Sequence, residues 1–471
     1  MPVPVMSVAA MRDWENATWA AGQTEAAVIR RVGQCVAHCI HRLTNPDDSV
    51  LILAGKGHNG DDARAATEFL TDRKVKLLEL PAPETDLPAL NSALAENPAL
   101  VVDGLFGIGL NRPLSEAWQK IIATINAAKI PVLAVDVPSG LNADTGDTFG
   151  AAIEATVTLT VGAPKAGMLA APAWPRVGRL EVADDVGLIP CPHEGQLSWT
   201  LARDFQKFPP PRTAAGHKGS FGHLAIVAGS RGFHGAAVLA VRGAQRAQPG
   251  LVTLYTQEGA LPFIAPQLQS AMADAWAPAT KFPDPLGALL VGPGLAGRDV
   301  PDALRRSLHG WWRDVQCPVI VDASALDFLT PGPFGKHFTR VLTPHPGEAG
   351  RLLVWPVQKV QSDRVTAVRE ISKKFGNCWV VLKGHQTLIG RHEGKVFVNG
   401  SGNPHLAQGG SGDLLSGYIA GLLAQPALAR DPAKTLRYAV WQHGASADKL
   451  QSLRANWTVE DLANAIGNAQ V

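Results

Sequence analysis

Along this chain, short apolar runs rich in Val, Ile and Leu end in glycine, aspartate or lysine and give way to helical patterns. Val50–Ala54 leads into Gly55, Leu100–Val102 into Asp103, and Pro131–Val135 into Asp136. Further on, Phe221–Val227 leads toward Gly229, Gly287–Val291 into Gly292, Pro318–Val321 into Asp322, and Trp379–Leu382 into Lys383. Runs that are apolar on both faces fit parallel strands buried beneath helices, and strands alternating with helices make an open α/β sheet. At 471 residues the chain is too long for one ordinary core, so two to four domains are expected. Periodicity fails from Pro190 to Lys218, where Pro190, Pro192 and the run Phe208-Pro-Pro-Pro211 fall. This stretch reads as a linker and divides the chain into domains 1–198 and 199–471.

Open α/β sheets bind ligands at the carboxyl ends of their strands. In the first half that edge holds Asp103 and Asp136. With Asn59 and Ser139 they form an oxygen-rich set able to hold a cation or orient a polar ligand. Strand-end aspartates that only form turns are the alternative. In the second half the same edge collects His345, Lys383, Thr387 and Asp413. The stretch Asn403–Gly417 carries Gly409-Gly-Ser-Gly-Asp413 and then the apolar positions Leu414, Leu415, Ile419, Leu422 and Leu423 at helical spacing. A glycine turn entering a helix points backbone N–H groups outward at the positive end of the helix dipole, which suits phosphate. A carboxylate in such a turn repels phosphate unless it has a separate task, and the economical task is general base. The plainer alternative is a glycine-rich turn capped by Asp413.

Composition excludes other classes. A formal charge of +2, with no aromatic residues interleaved among basic runs, argues against nucleic-acid binding. No apolar run approaches the roughly 18 residues of a membrane span, and the N-terminus lacks a basic region before an apolar core. Five cysteines make no disulfide framework and suit a reducing cytoplasm. Residues 12–43 read as one helix, on which Cys35, His38, Cys39 and His41 lack the second ligand pair of a zinc site and read as helical core.

The segments GKGHNGDDA (55–63), VVDGLFGIGLNRP (101–113) and AVDVPSGLNADTG (134–146) together resemble the NAD(P)H-hydrate epimerase family, which has a Rossmann-like fold. The resemblance implies that the R and S hydrates of NADH and NADPH are interconverted here. It places substrate along His58, Asn59, Gly60, Asp61 and Asp62 and along Gly107, Ile108, Gly109, Leu110, Asn111, Arg112 and Pro113. Asp136 would act at the reacting ring, and K+ would sit on Asn59, Asp103 and Ser139. The family loop usually reads NNGGDG, so His58, Asp61 and Ala63 are departures. An added carboxylate near pyrophosphate should repel it, and restoring glycine at 61 and 63 is expected to raise turnover.

KGSFGHLAIVAGS (218–230), VGPGL (291–295), TPHPGE (343–348), LKGHQT (382–387) and NPHLAQGGSGD (403–413) resemble the ADP-dependent NAD(P)H-hydrate dehydratases, a ribokinase-like family. By that resemblance Asp413 is the catalytic base, and Ala236, Gly294, His345 and Asp413 face the hydrate. Lys383, Gly384, His385, Gln386, Thr387 and Gly412 hold ADP and the AMP it becomes, with Mg2+ carried on the phosphates. Gln248-Pro249-Gly250 and the missing second aspartate of Asp322-Ala-Ser-Ala-Leu326 depart from the family without touching the base.

The expected class is therefore α/β with two domains, an N-terminal Rossmann-like epimerase-type fold and a C-terminal ribokinase-like fold. The expected partners are the hydrates NADHX and NADPHX, with no nucleic acid and no membrane, in a cytoplasmic homo-oligomer. The runner-up is a ribokinase-like small-alcohol kinase with a non-catalytic nucleotide-binding first half.

Overall fold

The computed structural model describes residues 2–296, 300–333 and 338–470. They form two compact units, Val3–Gly195 and Gln196–Val471.

The first unit holds six parallel strands: β1 (Ser49–Ala54), β2 (Lys74–Glu79), β3 (Leu100–Gly104), β4 (Val132–Val135), β5 (Val157–Val161) and β6 (Arg179–Ala183). Their order is β2-β1-β3-β4-β5-β6. The winding reverses between β1 and β3, and a crevice opens above such a reversal. Alternate residues sort to opposite faces. Ile52, Val102 and Leu133 pack under Val32, Val36 and Ile40 of the helix Glu25–Leu43. Leu51, Leu53, Val101 and Ala134 pack under Ile121, Ile122 and Ile125 of the helix Glu116–Ala127. Each of the larger aliphatic side chains contributes about 1.5–3 kcal/mol by its burial.

The single helix expected over 12–43 is in fact two, Val8–Ala20 and Glu25–Leu43. Gly22, at φ +91°, lies in the break, and Thr24 caps the second helix by accepting from the Ala27 N–H at 3.3 Å. Cys39 is buried in the core on the second helix, and burial pushes its thiol up to about 11. Among the described residues no His, Cys, Asp and Glu cluster is placed to hold a metal ion.

The second unit adds β7 (Leu197–Thr200), β8 (His223–Val227), β9 (Leu251–Thr256), β10 (Met272–Ala275), β11 (Ala288–Val291), β12 (Val319–Val321), β13 (Arg340–Leu342), β14 (Trp379–Leu382), β15 (Leu388–Gly390) and β16 (Val396–Asn399). They run β7-β16-β15-β14-β13-β12-β11-β8-β9-β10, parallel except at β15. This winding reverses at β8.

The aperiodic stretch from Pro190 to Lys218 is not a free linker. β7 pairs with β16, and Phe205 is fully buried with its ring 5.4 Å from Tyr438 and 5.3 Å from Trp441. Its prolines hid core residues that have no period of their own.

Two helices, His234–Arg246 and Ser411–Leu423, meet backbone to backbone. A Cβ on Gly417 would fall 1.9 Å from the Ala240 carbonyl oxygen, and one on Gly243 would fall 2.1 Å from that of Leu414. Both helices begin at the same end of the seam, because Leu239 lies against Gly410 as Gly243 lies against Leu414.

Candidate active sites

In the first unit a cavity of about 1000 Å3 opens at the β1/β3 reversal. His58, Asn59, Asp62, all of Gly107–Pro113 and Asp136 line it, as the sequence placed them. Gly60 and Asp61 do not. A helix begins at His58, so its period sends 58, 59 and 62 to one face and 60 and 61 to the other. Gly60 instead sits against the Gly55 carbonyl, where a Cβ would be 2.1 Å from the oxygen. Asp61 turns to Arg64, whose Nη1 donates to its Oδ1 at 2.7 Å, and Arg64 also pairs with Glu79. The added carboxylate is thus answered by a guanidinium and lies off the cavity. Ala63 is buried, with its Cβ 2.5 Å from where a Gly104 Cβ would stand. We expect Asp61→Gly to change the epimerisation rate by less than about fivefold, since partly exposed ion pairs are worth only ~1 kcal/mol or less. A steady-state rate on the R hydrate checks this, and it reverses the gain anticipated from sequence.

Below the cavity, Asp103 is fully buried at the end of β3. Ser139 donates to it twice, from its N–H at 2.8 Å and its hydroxyl at 2.6 Å, and the Leu105 N–H donates at 3.2 Å. Burial still pushes its carboxyl up to about 6 against those bonds. Asn59 contributes a buried side-chain amide whose Nδ2 has no partner, and its Oδ1 lies 3.2 Å from where a Gly107 Cβ would stand. Asp103 and Ser139 thus place oxygens around a buried carboxylate that no cationic side chain pairs among the described residues, with the Asn59 amide oxygen near Gly107. Such a set fits a weakly hydrated monovalent cation.

Sequence reasoning missed Arg12, Glu15, Lys56 and Trp118 on the cavity wall. Trp118 packs edge-on against Phe106 at 4.8 Å and offers an aromatic wall. Asp62 and Glu15 both have carboxyls raised by burial and by the negative charge of Asp136.

In the second unit the strand ends gather one charged cluster. Lys383, after β14, donates to Asp322, after β12, at 2.7 Å and lies 3.9 Å from Glu348. Burial alone would push its ammonium down, but Asp322, Glu348 and Asp413 together hold it above the usual value. Lys383 Nζ lies 3.4 Å from where a Gly412 Cβ would stand, so the Lys383–Thr387 loop and the GGSGD turn meet. Gly410 takes φ +93° as N-cap of the helix Ser411–Leu423, and Asp413 lies in its first turn. Burial pushes the Asp413 carboxyl up to about 7, with Asp322 and Glu348 adding and Lys383 opposing. A carboxylate held near neutrality can accept a proton from an alcohol and release it again. Behind the turn, the Ser411 hydroxyl meets Nε2 of His443 at 3.3 Å, and burial lowers that imidazole to about 4.

Gly294 and Ala236 are brought together, with 3.0 Å between the Ala236 Cβ and the position a Gly294 Cβ would take. Gly294 stands in the loop after β11 and Ala236 in the first turn of the helix after β8, where the winding reverses. His345 caps the helix Pro346–Leu353, its Nδ1 accepting from Gly347 N–H at 3.0 Å and Glu348 N–H at 3.4 Å. Its own N–H donates to Glu348 at 2.8 Å. Its Nε2 lies 3.5 Å from the Glu348 carboxylate, so Glu348, which the sequence reading did not single out, joins the cluster.

One residue unseen in the sequence shapes the Lys383–Thr387 loop. Arg364, buried under it, donates to the carbonyls of Leu382 at 3.1 Å, Lys383 and Gln386 at 3.3 Å, and also to that of His385. With those carbonyls drawn inward, the loop presents its other groups outward, and the Gln386 Nε2 is buried with no partner. Arg364→Ala should raise KM for the nucleotide by roughly tenfold to a hundredfold, the usual cost of a misplacement near 1 Å, and leave KM for the hydrate nearly unchanged. Separate titrations of the two substrates check it.

Comparison with known proteins agrees with both halves. The family model for NAD(P)H-hydrate dehydratase matches residues 224–468, and that for the YjeF-related protein N-terminus matches 25–91 and 78–167. The bifunctional NAD(P)H-hydrate repair enzyme of Moorella thermoacetica is 35% identical over 452 residues, covering 85% of this chain and 83% of that protein. The enzyme of the same description from Escherichia coli is 32% identical and covers 91% and 86%. A ribokinase-like superfamily protein of Enterococcus faecalis superposes with a TM-score of 0.50 at 23% identity, over 58% of this chain and 95% of its own, and shares the fold of the second unit. By the extent of these matches across both units, the chain belongs to the family of bifunctional NAD(P)H-hydrate repair enzymes.

Proposed function

We propose that the chain repairs hydrated nicotinamide nucleotides in two steps, one in each unit. The second unit dehydrates the S hydrate of NADH or NADPH at the expense of ADP, and the first interconverts the R and S hydrates. The observation that carries the reading is Asp413: a half-buried carboxylate whose pKa burial pushes up to about 7, at the mouth of a glycine turn, beside Lys383.

Asp413 takes the proton of the hydrate hydroxyl as that oxygen attacks the terminal phosphoryl group of ADP, and AMP departs. The N–H groups of Gly409–Gly412 meet the charge on the moving phosphoryl group. The phosphate ester then breaks its C–O bond and loses a ring proton, restoring the dihydronicotinamide. Lys383 and the loop through Thr387 hold the nucleotide, while Ala236, Gly294 and His345 face the hydrate. Mg2+ rides on the nucleotide phosphates and supplies charge neutralisation there. In the first unit, the hydrate lies along His58, Asn59, Asp62 and Gly107–Pro113, with Asp136 as acid/base group. K+ belongs on Asn59, Asp103 and Ser139, where it would stabilise the buried carboxylate. A reducing cytoplasm suits the five free cysteines, and no helix among the described residues is long and apolar enough to cross a membrane.

The test is to give the purified chain an R/S mixture of NADH hydrate with ADP and Mg2+ and follow the return of NADH absorbance. Complete return, faster than spontaneous epimerisation allows, is expected. Return that stops when the S form is consumed would remove the epimerase step. No return, with a stable phosphorylated product, would replace the dehydratase by a kinase.

A further inference from the structure

Asp136 sits at the end of β4 with its backbone at φ +62°, a conformation that costs a non-glycine residue about 1–3 kcal/mol. Its side chain is held from one side only. The Lys165 ammonium donates to Oδ1 at 2.5 Å, the Val161 N–H at 3.1 Å and the Thr160 hydroxyl at 3.3 Å. Oδ2 receives no hydrogen bond from the described residues, and Asp136 lines the cavity. Lys165 is fully buried, and its ammonium spends its remaining N–H groups on the Thr160 hydroxyl and the Val161 carbonyl, both at 3.0 Å. None is left for a ligand. The lysine is itself anchored, because Met6 accepts from Ala166 N–H at 2.9 Å and donates to the Pro164 carbonyl at 3.1 Å.

A buried lysine carries a large desolvation cost and is retained only with a paired charge. Here the partner is the one carboxylate placed to work on the substrate ring. Two further carboxylates face Asp136. Glu15 reaches it from the helix Val8–Ala20 and Asp62 from the helix His58–Ala65, while Arg12 and His58 act more directly on Glu15. Lys165 alone offsets the two carboxylates at hydrogen-bond range.

We propose that Lys165 is the positioning residue of the epimerase site: its ammonium fixes one oxygen of Asp136, so that the other oxygen stands at the cavity as the proton acceptor. The inference rests on the epimerase reading of the first unit.

A double-mutant cycle in the full chain tests it, with the dehydratase rate of the second unit reporting intact protein throughout. Lys165→Met should lower kcat for R-hydrate epimerisation about 100-fold with KM nearly unchanged, in the range expected for disabling a general base. Its acid limb should move up by about one pH unit or more, because Asp136 then faces Glu15 and Asp62 without a cation. Lys165→Arg should keep the wild-type limb. Adding Lys165→Met to Asp136→Asn should cost nothing further, and this double variant leaves no buried charge unpaired if the single one does not fold. Losses that multiply, or a Lys165→Met limb that coincides with wild type, would overturn the proposal. The 13C carboxyl signal of Asp136, assigned by its disappearance in Asp136→Asn, should titrate higher in Lys165→Met whether or not hydrate turns over. A shifted signal in a chain without epimerase activity would sink the epimerase reading and leave the pairing standing, whereas an unshifted signal in an active chain would sink the pairing alone.

Discussion

Asp413→Asn is expected to leave the chain folded and able to bind ADP while lowering dehydration about 1000-fold, within the range of general-base removal. Asparagine keeps the shape and cannot take a proton. Dehydration followed by NADH absorbance, with ADP affinity measured separately by calorimetry, checks both halves of the expectation; near-normal turnover would remove Asp413 as base. The pH dependence has a definite sign. The working form is the carboxylate and its pKa lies near 7, so kcat/KM should fall about tenfold per pH unit below that. Stability moves the other way. A carboxyl raised in the folded state contributes stability that is fully present below the unfolded value and lost as pH rises through about 7. The thermal midpoint of Asp413→Asn should therefore exceed that of the wild type above pH 7, the region where the wild type is most active.

The second large effect belongs to Lys383. Lys383→Met strands the Asp322 carboxylate, whose side chain is 1% exposed. Removing one partner of a buried pair costs about 3–5 kcal/mol. For a unit of this size that lowers the midpoint by on the order of 10 °C. The same change takes away the charge that opposes the rise of the Asp413 pKa, so the acid limb of dehydration should move to higher pH. Adding Asp322→Asn removes the stranded charge. The double variant should recover most of the lost midpoint, read by calorimetry, and little of the lost turnover. Recovery of both would mean that Lys383 serves the fold and not the chemistry.

What the sequence revealed was what local order encodes. Strands ending in Asp103, Asp136 and Asp322 were readable because a parallel strand carries its apolar content on both faces. The GGSGD turn was readable because glycine, carboxylate and a helical period stand together. Gly60 and Asp61 lie off the cavity for a local reason too. The residues before Ala63 look like a loop by glycine content, but His58 opens a helix, and the helical period then decides which of them see the cavity. The partners that tune the sites were invisible because they are far along the chain. Lys165 meets Asp136 from 29 residues away, His443 meets Ser411 from 32, and Arg364 reaches a loop some 20 residues on. A lone lysine in Gly162–Met168 was the only local sign, and nothing nearby names its mate. Phe205 stayed hidden among prolines, since one buried ring makes no pattern.

The seam between the helices His234–Arg246 and Ser411–Leu423 has a mechanical consequence. Where two backbones touch, as they do at Gly243 and Gly417, there is no compressible layer to absorb a shift. The helix that begins beside Ala236 and the helix that carries Asp413 form one stiff strut. The gap between the hydrate's resting place and the base is then a fixed gauge, set by glycine and not by ligand. Adjustment to a bulkier hydrate falls to the loops above the strut. One methyl group on Gly417 would wedge the strut apart and reset the gauge without touching a single reacting atom.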